Sequence, residues 1–131
     1  MATFKSSDYV IGIVYGLLSS ITVPKYKQSK PTLAQPAEYV VINTLGINAN
    51  TMQICHVNVN YHVKDINGGT GIGFVSDDTK IEAGTTAVKA ILQQVSSTSY
   101  LIDFYGQETI YDSALNEHYS NIKFSFKQIN K

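Results

Sequence analysis

The sequence predicts an α+β fold with the element order α-β-β-α-β-β. Its centre is a four-stranded, mainly antiparallel sheet with two helices packed on one face. Two observations carry that prediction. The stretch Gln53–Asp65, QICHVNVNYHVKD, alternates apolar and polar residues from Cys55 onward. Two other stretches, near residues 10–21 and 81–95, space their apolar residues at the helical period. The 131 residues amount to one domain, 1–131, long enough to bury a core without a disulfide or a structural metal.

The alternating stretch organises the rest. Cys55, Val57, Val59, Tyr61 and Val63 fall on one face; His56, Asn58, Asn60, His62 and Lys64 fall on the other. Period two with β-branched and aromatic residues marks a strand with one dry face. Met52 and Ile54 share parity with the polar set. A bulge near Ile54–Cys55, or a start buried on both sides, would accommodate them.

The first helix begins where Ser6 or Ser7 can cap it and Asp8 suits its dipole. Val10, Ile13, Val14, Leu17, Leu18 and Ile21 form its apolar stripe, and Pro24 ends it. Gly12 and Gly16, four apart, are expected to let this helix lie close on the sheet. Its apolar part, Tyr9 to Ile21, is too short to span a bilayer. It follows Asp8 and precedes no clear cleavage site, so it reads as a structural helix rather than a signal peptide. Lys25 to Ala37, KYKQSKPTLAQPA, reads as an exposed extended connection. Glu38–Leu45 is a strand, and a turn at Gly46–Asn50 joins it to the central strand as an antiparallel hairpin. Asp65–Val75 holds Gly68, Gly69, Gly71 and Gly73 and reads as a loop. Ser76 is expected to cap the second helix, with Asp77 and Asp78 in its first turn. Ala87 joins Ile81, Val88, Ile91, Leu92 and Val95 on its apolar stripe, Gly84 weakens its middle, and Ser96–Ser99 ends it. Tyr100–Tyr105 is a third strand, with an extension at Thr109–Tyr111 beyond a connection. Glu117–Ile129 is the last, with Tyr119, Ile122, Phe124 and Phe126 inward and Asn121, Lys123, Ser125 and Lys127 outward.

Composition narrows the function classes. Formal net charge is zero, which removes the electrostatic case for nucleic acid or anionic membrane as the main partner. All ten basic residues are lysine, so the bidentate fork that reads guanine or grips phosphate is missing. The single cysteine, Cys55, cannot form an internal disulfide, and a reducing compartment is expected. His56 and His62 share a face but lie roughly 20 Å apart along a strand, too far to hold one metal directly. Cys55 points away from His56, which disfavours both a metal pair and a nucleophile–base pair. Asp103, Glu108, Asp112 and Glu117 are scattered acids near the last hairpin. No catalytic, cofactor-binding or metal-ligating set emerges. The glycine loop lies between strand and helix, where a phosphate loop would sit. Its spacing fits neither the dinucleotide fingerprint, since Phe74 stands where glycine or alanine is required, nor a P-loop.

The chain resembles the tail terminator, or tail-completion, proteins of tailed bacteriophages. A short apolar helix leads to a proline-bearing connection, the phrase PAEYVVINTLG, the alternating strand QICHVNVNYHVKD, the helix TTAVKAILQQV and the closing strand HYSNIKFSFKQ. This pattern covers nearly the whole chain and contains no invariant motif. The Gly68–Gly73 loop does not match it. The resemblance implies a non-enzymatic structural protein of the virion, without cofactor. It would form a hexameric or dodecameric ring at the head–tail junction, between portal or neck proteins and the tail tube, with DNA as passing cargo and no membrane. Its candidate contact surfaces are the connection (Lys25, Lys27, Lys30), the polar sheet face (His56, Asn58, Asn60, His62, Lys123, Lys127) and the glycine loop (Gly68, Gly69, Gly71, Gly73). Two other classes stay open: a small nucleotide- or ligand-binding enzyme using Gly68–Gly73, and a host-directed accessory binding protein.

Overall fold

The computed structural model describes residues 6–45 and 53–129. Helix α1 (Ser7–Leu17) leads to β1 (Lys25–Lys27), β2 (Glu38–Thr44) and β3 (Gln53–Lys64). A small hairpin follows, β4 (Ile66–Asn67) and β5 (Phe74–Val75). Then come α2 (Asp78–Leu92), β6 (Gln94–Ser96), β7 (Tyr100–Asp112) and β8 (Glu117–Gln128). Six strands form one mixed sheet in the order β1-β2-β3-β8-β7-β6, and β4 pairs only with β5. The β1–β2 pair is parallel and the other neighbours are antiparallel.

The expected four-stranded sheet is therefore corrected to six strands plus a separate hairpin. The two added strands of the main sheet are three residues each, too short to show a period. β1 lies in the stretch read as an exposed connection, and β6 in the stretch read as a helix end. Strand β7 runs without interruption to Asp112, through what was expected to be a connection. A register shift between Phe104 and Gly106 lets it continue, as a bulge absorbs a residue that breaks the apolar pattern.

The β2–β3 hairpin forms as expected, in register from Glu38↔Val63 to Thr44↔Val57. Its turn at 46–50 lies outside the described residues. Strands β3 and β8 pair from Gln53↔Gln128 to Lys64↔Glu117 without a break, so the expected bulge at Ile54–Cys55 is absent. Ile54 instead sits opposite Lys127 with 38% of its surface exposed.

The valine face is dry. Cys55, Val57, Val59, Tyr61 and Val63 are buried beside Ile122, Phe124 and Phe126 of β8 and Val40 and Ile42 of β2. Helix α1 packs on β1, β2 and β3; α2 packs on β3, β8, β7 and β6. They insert Val10, Ile11, Val14 and Leu18 from one helix and Ile81, Val88 and Leu92 from the other. Each such side chain contributes about 1.5–3 kcal/mol when removed from water. Ala87, expected on the apolar stripe, is exposed, and Val95 belongs to β6. The Ser6 hydroxyl caps α1 by accepting from the Tyr9 N–H. Asp77, not Ser76, caps α2 by accepting from the Lys80 N–H.

Close approach comes from a different glycine than expected. A Cβ at Gly12 or Gly16 would meet nothing within 4 Å, whereas one at Gly84 would stand 2.4 Å from the Tyr61 ring. Helix α2 crosses β3 on the face of that ring. One residue on, Thr85 Oγ1 lies 2.6 Å from Ser120 Oγ, which also accepts from Gln107 Nε2 at 2.8 Å. This contrast is testable. Gly84→Ala should cost about 1–3 kcal/mol through overpacking, and Gly12→Ala should gain up to about 1 kcal/mol of helix propensity. Urea midpoints of the two variants should move in opposite directions; a shared direction would refute the assigned helix–sheet contact.

Candidate functional site

The sheet face away from the helices carries the most concentrated polar and aromatic chemistry. Alternation along β2 places Tyr39, Val41 and Asn43 there, while β3 places His56, Asn58, Asn60 and His62. Strand β8 adds Tyr119, Asn121, Lys123, Ser125 and Lys127. Register sets them in rows: Asn43 beside Asn58 beside Lys123, Val41 beside Asn60 beside Asn121, and Tyr39 beside His62 beside Tyr119.

Two interaction systems run across these rows. In the first, Asn58 Nδ2 donates to Asn43 Oδ1 at 3.0 Å. Asn121 Nδ2 donates to Asn58 Oδ1 at 3.3 Å and to Asn60 Oδ1 at 2.6 Å. The second is aromatic. His62 is sandwiched between Tyr39, centroid distance 4.4 Å and planes 7° apart, and Tyr119, at 4.6 Å and 24°. Tyr26 meets Tyr39 edge-on at 6.1 Å. Beneath the stack lies Glu117, only 4% exposed. Its Oε1 accepts from the Tyr39 hydroxyl and lies 3.2 Å from His62 Nδ1.

The connection between β1 and β2 closes over one end of this face. The Lys30 ammonium donates to the Ala34 carbonyl and stands 5.5 Å over the Tyr39 ring. The result is a cleft of about 390 Å³ lined by Lys30, Thr32, Tyr39, Asn60, His62, Asp112 and Tyr119, among others. A neighbouring hollow of about 230 Å³ reaches Lys64 and Glu117.

Electrostatics hold the cluster in a fixed protonation pattern. Burial, and then the hydrogen bond to Glu117, push the Tyr39 hydroxyl far above its ordinary value, so it stays a proton donor. Burial lowers the His62 imidazole below its ordinary value, with Glu117 opposing that shift. On the helix side, burial and then Glu38 raise the Tyr61 hydroxyl, and burial raises the Cys55 thiol. Tyr39, His62 and Glu117 satisfy one another, an arrangement that fastens β2, β3 and β8 together rather than freeing a nucleophile.

The predicted contact residues separate into three places. His56, Asn58, Asn60, His62, Lys123 and Lys127 do share the open face. His56 is exposed and edge-on to Tyr105 at 5.3 Å, and Lys123 Nζ lies 3.3 Å from Glu108. Lys25 and Lys27 turn to the helix side, 5.8 and 5.0 Å over the Tyr15 ring, with Lys25 also donating to the Ile21 carbonyl. Lys30 alone of the three joins the open face. Gly68, Gly69, Gly71 and Gly73 form the turn of the β4–β5 hairpin, where the Gly68 N–H donates to the Gly73 carbonyl at 2.7 Å. Gly69, Gly71 and Gly73 have positive φ, which explains the glycines without a ligand. The acids Asp77 and Asp78 occupy the N-terminus of α2, where a phosphate would need to approach.

Tyr119, expected inward, lies on the open face. Its parity with Asn121 and Lys123 was the available signal, outweighed by its aromatic character. Tyr39 and Asn43 went unread, and Glu117 was read only as a scattered acid, for a different reason: only pairing across three strands brings them together. His118 sits apart, on the helix side, with Nδ1 2.6 Å from Asp65 Oδ1 and its ring stacked on Tyr111 at 4.8 Å. Among the described residues, no group of three or more His, Cys, Asp or Glu side chains could hold a metal ion.

No protein-family model matches the chain, and no curated protein matches it. Among the described residues, no helix is long and apolar enough to cross a membrane.

The lowered His62 value has a consequence for stability. The unfolded chain takes up the proton first as pH falls through about 6.5. Stability tied to this residue is therefore full above that pH and declines below it, levelling off under the folded-state value. Unfolding free energies measured between pH 7.5 and 5 should fall with acidification, and His62→Gln should flatten that slope. An unchanged slope would contradict the buried, neutral imidazole.

Proposed function

We propose that this chain is a non-enzymatic structural protein of a bacteriophage virion. In this reading it forms a ring at the head–tail junction as a tail terminator or related connector, joins the tail to the neck and lines the DNA channel. The resemblance of its strand and helix phrases to that family motivates the reading. The observation that carries it is the one-sided build of the sheet. Both helices lie on one face, and the other is a broad surface of amide and aromatic groups, with the chain between β1 and β2 covering one end of it. Such a surface is too polar to be a missing core layer and well suited to protein contact. Zero net charge and the absence of arginine suit a channel through which DNA passes without being gripped.

The alternative, a nucleotide- or ligand-binding enzyme built on Gly68–Gly73, has weaker support. That loop is the tip of a hairpin, and the helix after it begins with two carboxylates.

Light scattering and negative-stain microscopy, with and without portal, neck and tail-tube proteins, test the proposal. A closed ring of six or twelve copies is the expected product. A chain that stays monomeric and joins no ring with any of these components would refute it. His56→Glu, an exposed change on the open face, should leave stability within about 0.5 kcal/mol. It should weaken co-sedimentation with the neck or tail partner several-fold.

A further inference from the structure

Strand β7 is thirteen residues long, but β6 covers only Leu101–Asp103. The Phe104 N–H still finds the Gln93 carbonyl at 3.1 Å. From Tyr105 to Asp112, no strand of the described residues lies on the outer edge. The stretch YGQETIYD contains neither proline nor lysine, two of the usual guards of a free edge. Tyr105 and Tyr111 on it are 52% and 53% exposed.

A groove of about 470 Å³ runs between this edge and α2, lined by residues that include Glu82, Thr85, Thr86, Lys89, Phe104 and Gln107. An edge with a groove beside it is the geometry by which an extended segment adds to a sheet. Backbone groups make the ladder, and every second side chain enters the groove.

The opposite end of the sheet supplies a matching segment. β1 is three residues long, terminal in the strand order, and carries Lys25 and Lys27. The β7 end carries Asp103, Glu108 and Asp112 on its open face, and Glu82 of α2 lies beside it on the helix side. A chain with no net charge thus has lysines at one end of its sheet and acids at the other. Lys25 and Lys27 lie on the helix side of β1, and the groove with Glu82 lies on the helix side of β7. When two copies join edge to edge with helix sides aligned, Lys25 and Lys27 fall on the same side of the seam as Glu82, while Asp103, Glu108 and Asp112 line the open-face side. Pairing β7 with itself about a two-fold axis would instead gather Glu108 and Asp112 of both copies, a like-charge cost.

We propose that the β1 edge of a second copy adds to the free edge of β7, continuing the sheet head to tail with Lys27 facing Glu82 at the α2 groove. This inference rests on the ring reading and names the seam between its subunits: a contact between unlike surfaces that closes into a ring.

The full chain tests it by sedimentation across a concentration series. Lys27→Glu and Glu82→Lys should each weaken self-association by about tenfold, and the double variant should restore it. Circular dichroism checks that each variant is folded. Amide hydrogen exchange on the unaltered chain gives a readout that needs no variant: residues 105–112 should exchange more slowly in the assembly than in the dilute monomer. Single variants that assemble like the unaltered chain, unchanged exchange at 105–112, or a two-fold dimer through β7 would each overturn the seam. Of these, the first two leave the ring itself standing. A chain monomeric at every concentration and with every partner would overturn both.

Discussion

The phase of the β3–β8 ladder is the constraint on which the rest depends. Twelve consecutive pairs align Val57 with Phe124 and Val59 with Ile122 on one side, and Asn58 with Lys123 and Asn60 with Asn121 on the other. A slip of one residue would turn the valines and phenylalanines to water and bury the amides. Both helices seat on the face this register creates, and the amide and aromatic rows exist only because the other face remains open.

Polar ties lock that register from both sides. On the helix side, the Tyr61 ring lies under Gly84 while its hydroxyl donates to Glu38 at 2.9 Å. The position of α2 is thereby coupled to β3 and β2. On the open side, buried Glu117 accepts from Tyr39 and meets His62. A buried carboxylate without partners would be strongly destabilising, so these three strands must meet at one spacing. The lowered His62 and raised Tyr39 values follow from the same burial.

The molecule is asymmetric in a way that bears on assembly. Its sheet has a dry covered face, a polar open face, a lysine-bearing end and an acid-bearing end with uncovered edge. The proposed head-to-tail seam draws on these unlike ends and leaves the open face clear. The tip of the β4–β5 hairpin is apolar and uncovered, with Ile72 and Phe74 exposed at 67% and 62%.

What the sequence determined by itself was the main periodic pattern of the central strand and the first helix, although Ala87 and Val95 on the expected α2 stripe fell outside the helix core and Ile11 joined it unread. Alternation from Cys55 to Lys64 told the dry face from the wet one, and the spacing of Val10, Val14 and Leu18 identified the core stripe of α1. These patterns are local, so burial writes them directly into residue order. Tertiary structure alone decided the rest. Lys25–Lys27 and Gln94–Ser96 become strands because β2 and β7 offer them edges, not because three residues prefer to be extended. Gly84 is needed where a ring from β3 passes, a meeting that helix α2 does not encode. Tyr39, His62 and Glu117 converge from three strands across 78 positions of sequence. Pairing between distant segments carries no period, and only the folded sheet sets those partners side by side.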